Sequence, residues 1–439
     1  MSEREKPVNE EAQNTKKLNR ILSIVIAVLL TFIGFLGGYF ARYFSKTPSE
    51  KTIEELISII IDKAYPNDGK ELDEEALFEF FKTYYDDKYA DYYDKEEYKQ
   101  LKRENSGNYS GIGVSFYDNT NMVAKVIKNS PAFIAGLKKA DVFISAIDDN
   151  GEKTIFDEQH GVMEYLSNVQ KGQTLIVEVS RAGEKLEFEV QKRQYNVSYV
   201  EYYDSGTKMY FADNDFGKLE AKTDDALKME GLDEQTAYVV LDQFEGSAGE
   251  EFGEAIEFMK ERGRTKLIFD LRDNGGGSMN VLIKIASYLI YNSGERESIV
   301  AYAKAKDRTS FFSTSSNNYY TGITKTIVIA NGNTASASEC LIGAMLHYGK
   351  ASRDGNFDMD HLILTKNSSG VAKTFGKGIM QTTYELKSGG AFKLTTAKIF
   401  WPDNNTSIHD VGIIQDKNPN NAVLDANAIS RAIEIASNT

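Results

Sequence analysis

The chain alternates between stretches with three distinct hydrophobic periods. From Ile21 to Phe40 the residues are apolar, interrupted only by Ser23, Thr31 and glycines. About 20 residues at about 1.5 Å rise span about 30 Å, the thickness of bilayer hydrocarbon. Between Ile53 and Tyr85 apolar residues recur at helical spacing: Ile53, Leu56, Ile57, Ile60 and Ile61, then Leu72, Leu77, Phe78 and Phe81. After Ser106 the period becomes two. Strands are expected at Val114, at Met122–Ile127 and at Val142–Ile147, with a hairpin of Leu175–Val179 and Leu186–Val190 through Arg181–Glu184. Ser130 and Pro131 open a short capped helix.

Beyond residue 196 strands and helices alternate. Thr207–Phe211, Ala237–Leu241, Lys266–Leu271 and Thr326–Ala330 read as strands; Ala248–Arg262, Val281–Tyr291 and Cys340–His347 read as helices. The stretches Phe392–Pro402 and Ser407–Ile413 and a helix Ala426–Ser437 complete a sheet covered by helices. The fold class is therefore α/β (α+β) and multidomain, with a β-rich module of about 90 residues before the sheet domain. Two stretches are assigned no element that carries chemistry. The Tyr-, Asp- and Lys-rich segment Tyr84–Tyr98 reads as a solvated helix edge or loop, and Arg353–Gly370 as a polar surface insertion.

Charge and composition narrow the function. The 439 residues carry a net charge of −14, from 51 basic and 65 acidic side chains, with no basic stripe interleaved with aromatics. Nucleic acid is not an expected partner. Cys340 is the only cysteine, which excludes an intramolecular disulfide and a thiolate metal site. The four histidines (His160, His347, His361, His409) show no metal-ligand spacing, so neither a metal nor a cofactor is expected. Lys16, Lys17 and Arg20 precede the apolar run, and the longer charged segment is N-terminal to it. That predicts an uncleaved anchor with its N-terminus in the cytoplasm and the bulk of the chain outside, a cleaved signal peptide being the alternative.

Three short stretches could carry chemistry. Thr326–Ala330 runs into Asn331-Gly332-Asn333 and then Thr334-Ala335-Ser336-Ala337-Ser338-Glu339 before helical spacing resumes. A serine at a strand–turn–helix junction meets unpaired helix N–H groups, and its small neighbours admit a substrate backbone. A plain helix cap explains the same residues. Asp270–Gly277 ends a strand in Gly275-Gly276-Gly277; glycines there let backbone N–H groups crowd an oxyanion, or a phosphate, although no nucleotide fingerprint is present. In Phe375-Gly376-Lys377-Gly378, Lys377 is held between glycines, with Ile379 and Gln381 expected on its face of a following strand. Burial would lower its pKa and make a neutral amine, a competent base for a serine hydroxyl. A Ser-His-Asp triad through His347 or His409 remains open at this point.

The β-rich module resembles a PDZ domain, which implies capture of a peptide C-terminal carboxylate by the loop Tyr109, Ser110, Gly111, Ile112 and Gly113, the peptide adding as a strand. It departs at Ala140-Asp141, where that family usually has Gly-Asp. With the ordered set Asp270–Gly277, Ser336–Glu339, Phe375–Gly378 and Gln381, the chain resembles the carboxyl-terminal processing proteases, tail-specific Ser-Lys peptidases of family S41. The resemblance implies Ser336 as nucleophile with Ser338 as its rival, Lys377 as general base and Gln381 orienting the amine. It places the oxyanion donors at Gly275, Gly276 and Ala337. The gap from Ser336 to Lys377 is longer than the family's, the surplus falling within 353–370, and Ile414-Gln415-Asp416 replaces Pro-Asp.

The expected organisation is a cytoplasmic tail (1–20), an anchor (21–42), a linker and helical region (43–105), a PDZ module (106–195) and a protease core (196–439). The expected function is a single-pass serine endopeptidase of a bacterial plasma membrane, its catalytic domain extracytoplasmic. Its partners would be protein or peptide substrates with free C-terminal tails and, through residues 21–40, the lipid bilayer; homo-oligomerisation is left open. The alternatives are a catalytically silent tail-binding scaffold and, in a third class, a nucleotide-binding protein.

Overall fold

The computed structural model describes residues 47–63, 73–157, 161–214, 218–224, 229–290, 297–314, 318–349 and 357–438. The expected anchor at 21–40, and His160, lie outside them. No helix among the described residues is long and apolar enough to cross a membrane. The chain divides into two units, Met1–Asp86 and Asp87–Thr439. In the first, the amphipathic pattern forms helices Pro48–Lys63 and Glu74–Tyr85. Asp73 caps the second by accepting the Ala76 N–H, and Asp86 ends it at φ 51°.

The second unit begins with a departure from the sequence reading. Asp91–Tyr93 is a strand, paired antiparallel with Ala391–Lys393. Tyr and Asp look like surface composition, and only a partner 300 residues away makes this triplet a strand. Asp94 and Glu97 then form a capping box on the helix Lys95–Asn105.

The β-rich module contains a four-stranded antiparallel sheet in the order Lys153–Ile155, Val142–Ile147, Thr174–Arg181, Glu184–Gln191. Val123, Phe143, Leu175, Val177 and Val179 fill its core. Asn108–Gly111 pairs with Arg193–Asn196, tying the entry of the module to its exit. Ala140 stands at φ 69°, a left-handed conformation that costs a β-carbon about 1 kcal/mol and explains why glycine is usual there. Beside it, the buried Asp141 accepts two hydrogen bonds from Arg181, at 2.7 and 2.8 Å.

The core sheet shows eight strands among the described residues. Their order is Lys218–Asp224, Lys208–Asn214, Val200–Tyr203, Thr236–Leu241, Lys266–Asp270, Lys325–Ala330, Leu362–Thr365, Ala422–Val423. From Thr236–Leu241 onward each neighbour is parallel. Parallel strands are buried on both faces, and successive side chains divide between them. Leu267, Phe269, Val328 and Ala330 pack with the helices Ala248–Glu261, Met279–Leu289 and Ala337–Gly349. Ile268, Ile327 and Ile329 pack under Ala428, Ala432 and Ala436 of the C-terminal helix. Leu362–Thr365 corrects the reading of 353–370 as a wholly polar surface insertion, because this segment is a fully buried strand of the sheet. A second sheet joins Asp91–Tyr93, Ala391–Phe400, Ile379–Glu385, Ile299–Ala305 and Thr309–Ser313.

Candidate active site

The carboxyl ends of the neighbouring strands Lys266–Asp270 and Lys325–Ala330 carry the two loops picked out in the sequence, and in an open parallel sheet this is where ligands bind. Their packing begins with Asn274. Its amide nitrogen donates to the Leu241 carbonyl at 2.8 Å, while its own carbonyl accepts the Ala335 N–H at 3.0 Å and the Ser338 hydroxyl at 3.1 Å. Ser338 is thus fully buried with its hydroxyl engaged. Ser336 is partly exposed, at φ 57°, and its hydroxyl has no partner among the described residues. A non-glycine residue in this region stores about 1–3 kcal/mol of backbone strain, which surrounding contacts must hold.

Much of that hold comes from Glu339, a residue the sequence reading quoted in a motif without giving it a role. Its buried carboxylate accepts four hydrogen bonds. One oxygen takes the Thr374 hydroxyl at 2.5 Å and the Gly376 N–H at 2.8 Å; the other takes the N–H groups of Ser336 and Lys377, each at 2.9 Å. The backbone nitrogens of Ser336 and Lys377 therefore lie within twice that last distance of each other, although 41 positions separate them in sequence.

The Lys377 loop is fixed along its length. Phe375 donates to the Thr334 carbonyl at 3.0 Å, and Thr374 exchanges hydrogen bonds with Ile413. A β-carbon on Gly376 would lie 2.9 Å from the Gly412 nitrogen, and one on Gly378 2.7 Å from the His409 nitrogen. The flanking glycines allow close approach of backbones. The Lys377 amine has no hydrogen-bonding or ionic partner among the described residues; the Tyr89 ring centroid lies 4.9 Å from it. Burial lowers its pKa, and the nearby Lys393 lowers it further. Burial also works against the charge of Lys393, but hydrogen bonds to Tyr93 and Asp91 outweigh it and raise that pKa.

Two expected site residues sit differently from the sequence reading. Lys377 precedes the strand Ile379–Glu385, and the register with Ala391–Phe400 shifts at Met380/Gln381 because Thr396 is an extra residue on the partner strand, which sets Gln381 opposite Thr395. The Gln381 amide donates to the Thr395 hydroxyl at 3.3 Å, and Thr395 is itself held by Asp87 through its N–H and hydroxyl. The Gly276 N–H is engaged by the Asn274 side-chain oxygen at 2.9 Å. The N–H groups of Gly275 and Ala337 have no acceptor among the described residues. Gly276 lies against the serine: a β-carbon there would be 2.8 Å from the Ser336 β-carbon and 2.9 Å from the Ala337 nitrogen.

None of the described histidines bonds to Ser336. His361 pairs with Asp358 at 2.7 Å, and His409 Nε2 lies 3.6 Å from Asp410. In the β-rich module Tyr109, Ser110 and Gly111 belong to the pairing with Arg193–Asn196. Ile112 and Gly113 form the turn beyond it, where a β-carbon on Gly113 would strike Ser130. No group of histidine, cysteine or acidic residues suited to a metal occurs among the described residues.

Comparison with known proteins agrees with this layout. The model of peptidase family S41 matches residues 235–356 and 369–418, and the PDZ domain model matches 110–191. The unmatched stretch 357–368 holds the buried strand Leu362–Thr365. A "Probable CtpA-like serine protease" of Staphylococcus saprophyticus is 25% identical over 427 residues, covering 93% of this chain and 76% of that protein. One of the same name from Staphylococcus aureus is 25% identical over 367 residues; the match covers 83% of this chain but only 63% of the relative. Among solved structures, the photosystem II D1 C-terminal processing protease aligns over 89% of this chain and 91% of its own, at 18% identity and a TM-score of 0.47. By the family matches, with the serine and glycine loops standing together at the carboxyl ends of neighbouring parallel strands, the region 235–418 is a core of peptidase family S41, and a PDZ domain at 110–191 precedes it.

Proposed function

We propose that the protein is a membrane-anchored, extracytoplasmic endopeptidase that cleaves protein substrates with a Ser336–Lys377 dyad and selects them by their C-terminal tails. The observation that carries the reading is the Glu339 carboxylate oxygen that holds the backbone N–H of both residues. The Ser336 hydroxyl attacks the scissile carbonyl as the neutral Lys377 amine takes its proton. The N–H groups of Gly275 and Ala337, at the start of the helix Ala337–Gly349, receive the oxyanion. Protonated Lys377 then gives the proton to the departing amine, and water, activated by the same lysine, releases the acyl group. Gln381, bonded to Thr395, steadies the strand that follows the base. Ser338 is a poor nucleophile because its hydroxyl is buried and committed to Asn274.

In the PDZ module the turn at Ile112 and Gly113 would take a substrate's terminal carboxylate. The tested expectation is that Ser336→Ala and Lys377→Ala each abolish cleavage of an unstructured peptide while Ser338→Ala retains it. An amidated C-terminus on the peptide should weaken binding. Full turnover by Ser336→Ala would overturn the catalytic assignment, and a protein found wholly in the soluble fraction would overturn the anchor. A catalytically silent scaffold would show tail binding and no turnover in the unmodified protein.

A further inference from the structure

The Lys377 amine is covered by a residue from the opposite end of the second unit. Tyr89 lies in the turn between Asp86 and the strand Asp91–Tyr93, with its ring centroid 4.9 Å from Lys377 Nζ. The turn is well fastened. The Asp87 carboxylate accepts the N–H of Tyr89 at 3.1 Å and the N–H and hydroxyl of Thr395 at 2.8 and 3.0 Å, and the Asp87 carbonyl accepts the Ala90 N–H. Pairing of Asp91–Tyr93 with Ala391–Lys393 anchors the far side. Thr395 also receives the Gln381 amide. One turn therefore grips the strand beside the base and sets an aromatic face on its amine. The phenol oxygen has no partner among the described residues, so the ring itself is the functional part.

From this geometry we infer that Tyr89 is a positioning residue for the peptidase reaction, a lid of aromatic carbon that shields the Lys377 amine from water and fixes where it points. The inference rests on the reading of Lys377 as the base. An aromatic face attracts an ammonium, while loss of hydration penalises it. The second effect outweighs the first because the amine has no carboxylate or hydrogen-bond acceptor among the described residues to replace its lost water; burial acts in the same direction and lowers its pKa. Other groups facing the loop do not supply the shield. Lys393 repels the ammonium, and is itself bonded to Tyr93 and Asp91. Lys88 lies 5.1 Å from the same Tyr89 ring. Glu339 is bonded to the Lys377 backbone; His409 and its neighbour Asp410 stand by Gly378, and Lys398 is opposite Ile379.

Removing the ring should therefore hydrate the amine and raise its pKa, while removing only the hydroxyl should not. The test compares Tyr89→Ala and Tyr89→Phe. For Tyr89→Ala the acid limb of kcat/KM is expected to move to higher pH, losing roughly five- to tenfold at neutral pH and recovering it in alkali, since one pKa unit corresponds to tenfold. Tyr89→Phe should follow the parent profile. A second readout needs no turnover: in a Ser336→Ala background, the pH dependence of acetic anhydride labelling at Lys377, read by mass spectrometry, should shift with Tyr89→Ala and not with Tyr89→Phe. An unshifted labelling curve in a folded Tyr89→Ala protein overturns the role of Tyr89. Full activity of Lys377→Ala would instead overturn the base assignment on which it rests.

Discussion

Replacing Glu339 by glutamine tests the clamp that joins the two halves of the dyad. The carboxylate accepts four donors and can do so because each of its oxygens offers lone pairs and no hydrogen. Glutamine keeps the shape but turns one oxygen into an NH2 group. With the NH2 group toward Ser336 and Lys377, two N–H donors face another donor in a site closed to water; turned toward Thr374 and Gly376, the Thr374 hydroxyl can accept and only the Gly376 N–H faces a donor. Each buried group left without its partner costs about 1–3 kcal/mol, so the substitution should cost about 1–6 kcal/mol in all. A typical domain has about 5–15 kcal/mol of stability, so the protein should still fold, less stably. Part of the strain can be relieved if the Ser336 turn or the Lys377 loop moves, and a displacement of about 1 Å at reacting groups can cost about 100-fold in rate. Urea unfolding followed by near-ultraviolet circular dichroism gives the stability; turnover of an unstructured peptide gives the rate. Thr374→Val removes one of the four donors and also the acceptor of the Ile413 N–H, so it should lower stability too, but the carboxylate still holds Ser336 and Lys377 and the loss of turnover should be smaller. A Glu339→Gln protein with unchanged unfolding midpoint and kcat/KM within about threefold of the parent would refute the reasoning.

Gly276→Ala and Gly275→Ala should behave oppositely in stability and turnover. The first β-carbon would lie 2.8 Å from the Ala335 carbonyl at φ 99°, so turnover should fall by about 100-fold or more; the second meets nothing within 4 Å and should leave the unfolding midpoint near the parent's, as thermal melts and peptide assays would show. Activity should fall on acidification through a pKa below that of ordinary lysine, since only the neutral Lys377 amine can accept the serine proton. The same lowered pKa means the unfolded chain binds more protons at this residue between its folded pKa and the ordinary lysine value. Its contribution to stability should rise with pH across that window, and Lys377→Met should remove that part of the slope in pH-dependent denaturation. The Cys340 thiol, buried and pushed up to about 12, should resist thiol reagents until the protein unfolds; rapid labelling of the native protein would contradict its burial.

The sequence by itself determined the succession of a β-rich module and a sheet domain, and it marked the chemical stretches around Ser336, Gly275 and Lys377. These signals are local. Buried parallel strands such as Lys266–Asp270 must be apolar throughout, and close backbone approach demands glycine, so both leave a trace in the residues themselves. Leu362–Thr365 shows the limit: four buried residues inside a polar stretch are too short to set a period. Only the tertiary structure decided which residues meet. Glu339 acquires its role from donors on two loops, the commitment of the Gly276 N–H depends on the Asn274 side chain, and a bulge on the neighbouring strand sets Gln381 opposite Thr395, which takes its amide. Tyr89 belongs to the same class, since a tyrosine in an acidic, lysine-rich turn has no local mark of the amine it covers. Hydrogen bonds and ring contacts between distant segments depend on where strands are placed side by side, and no local period encodes that placement.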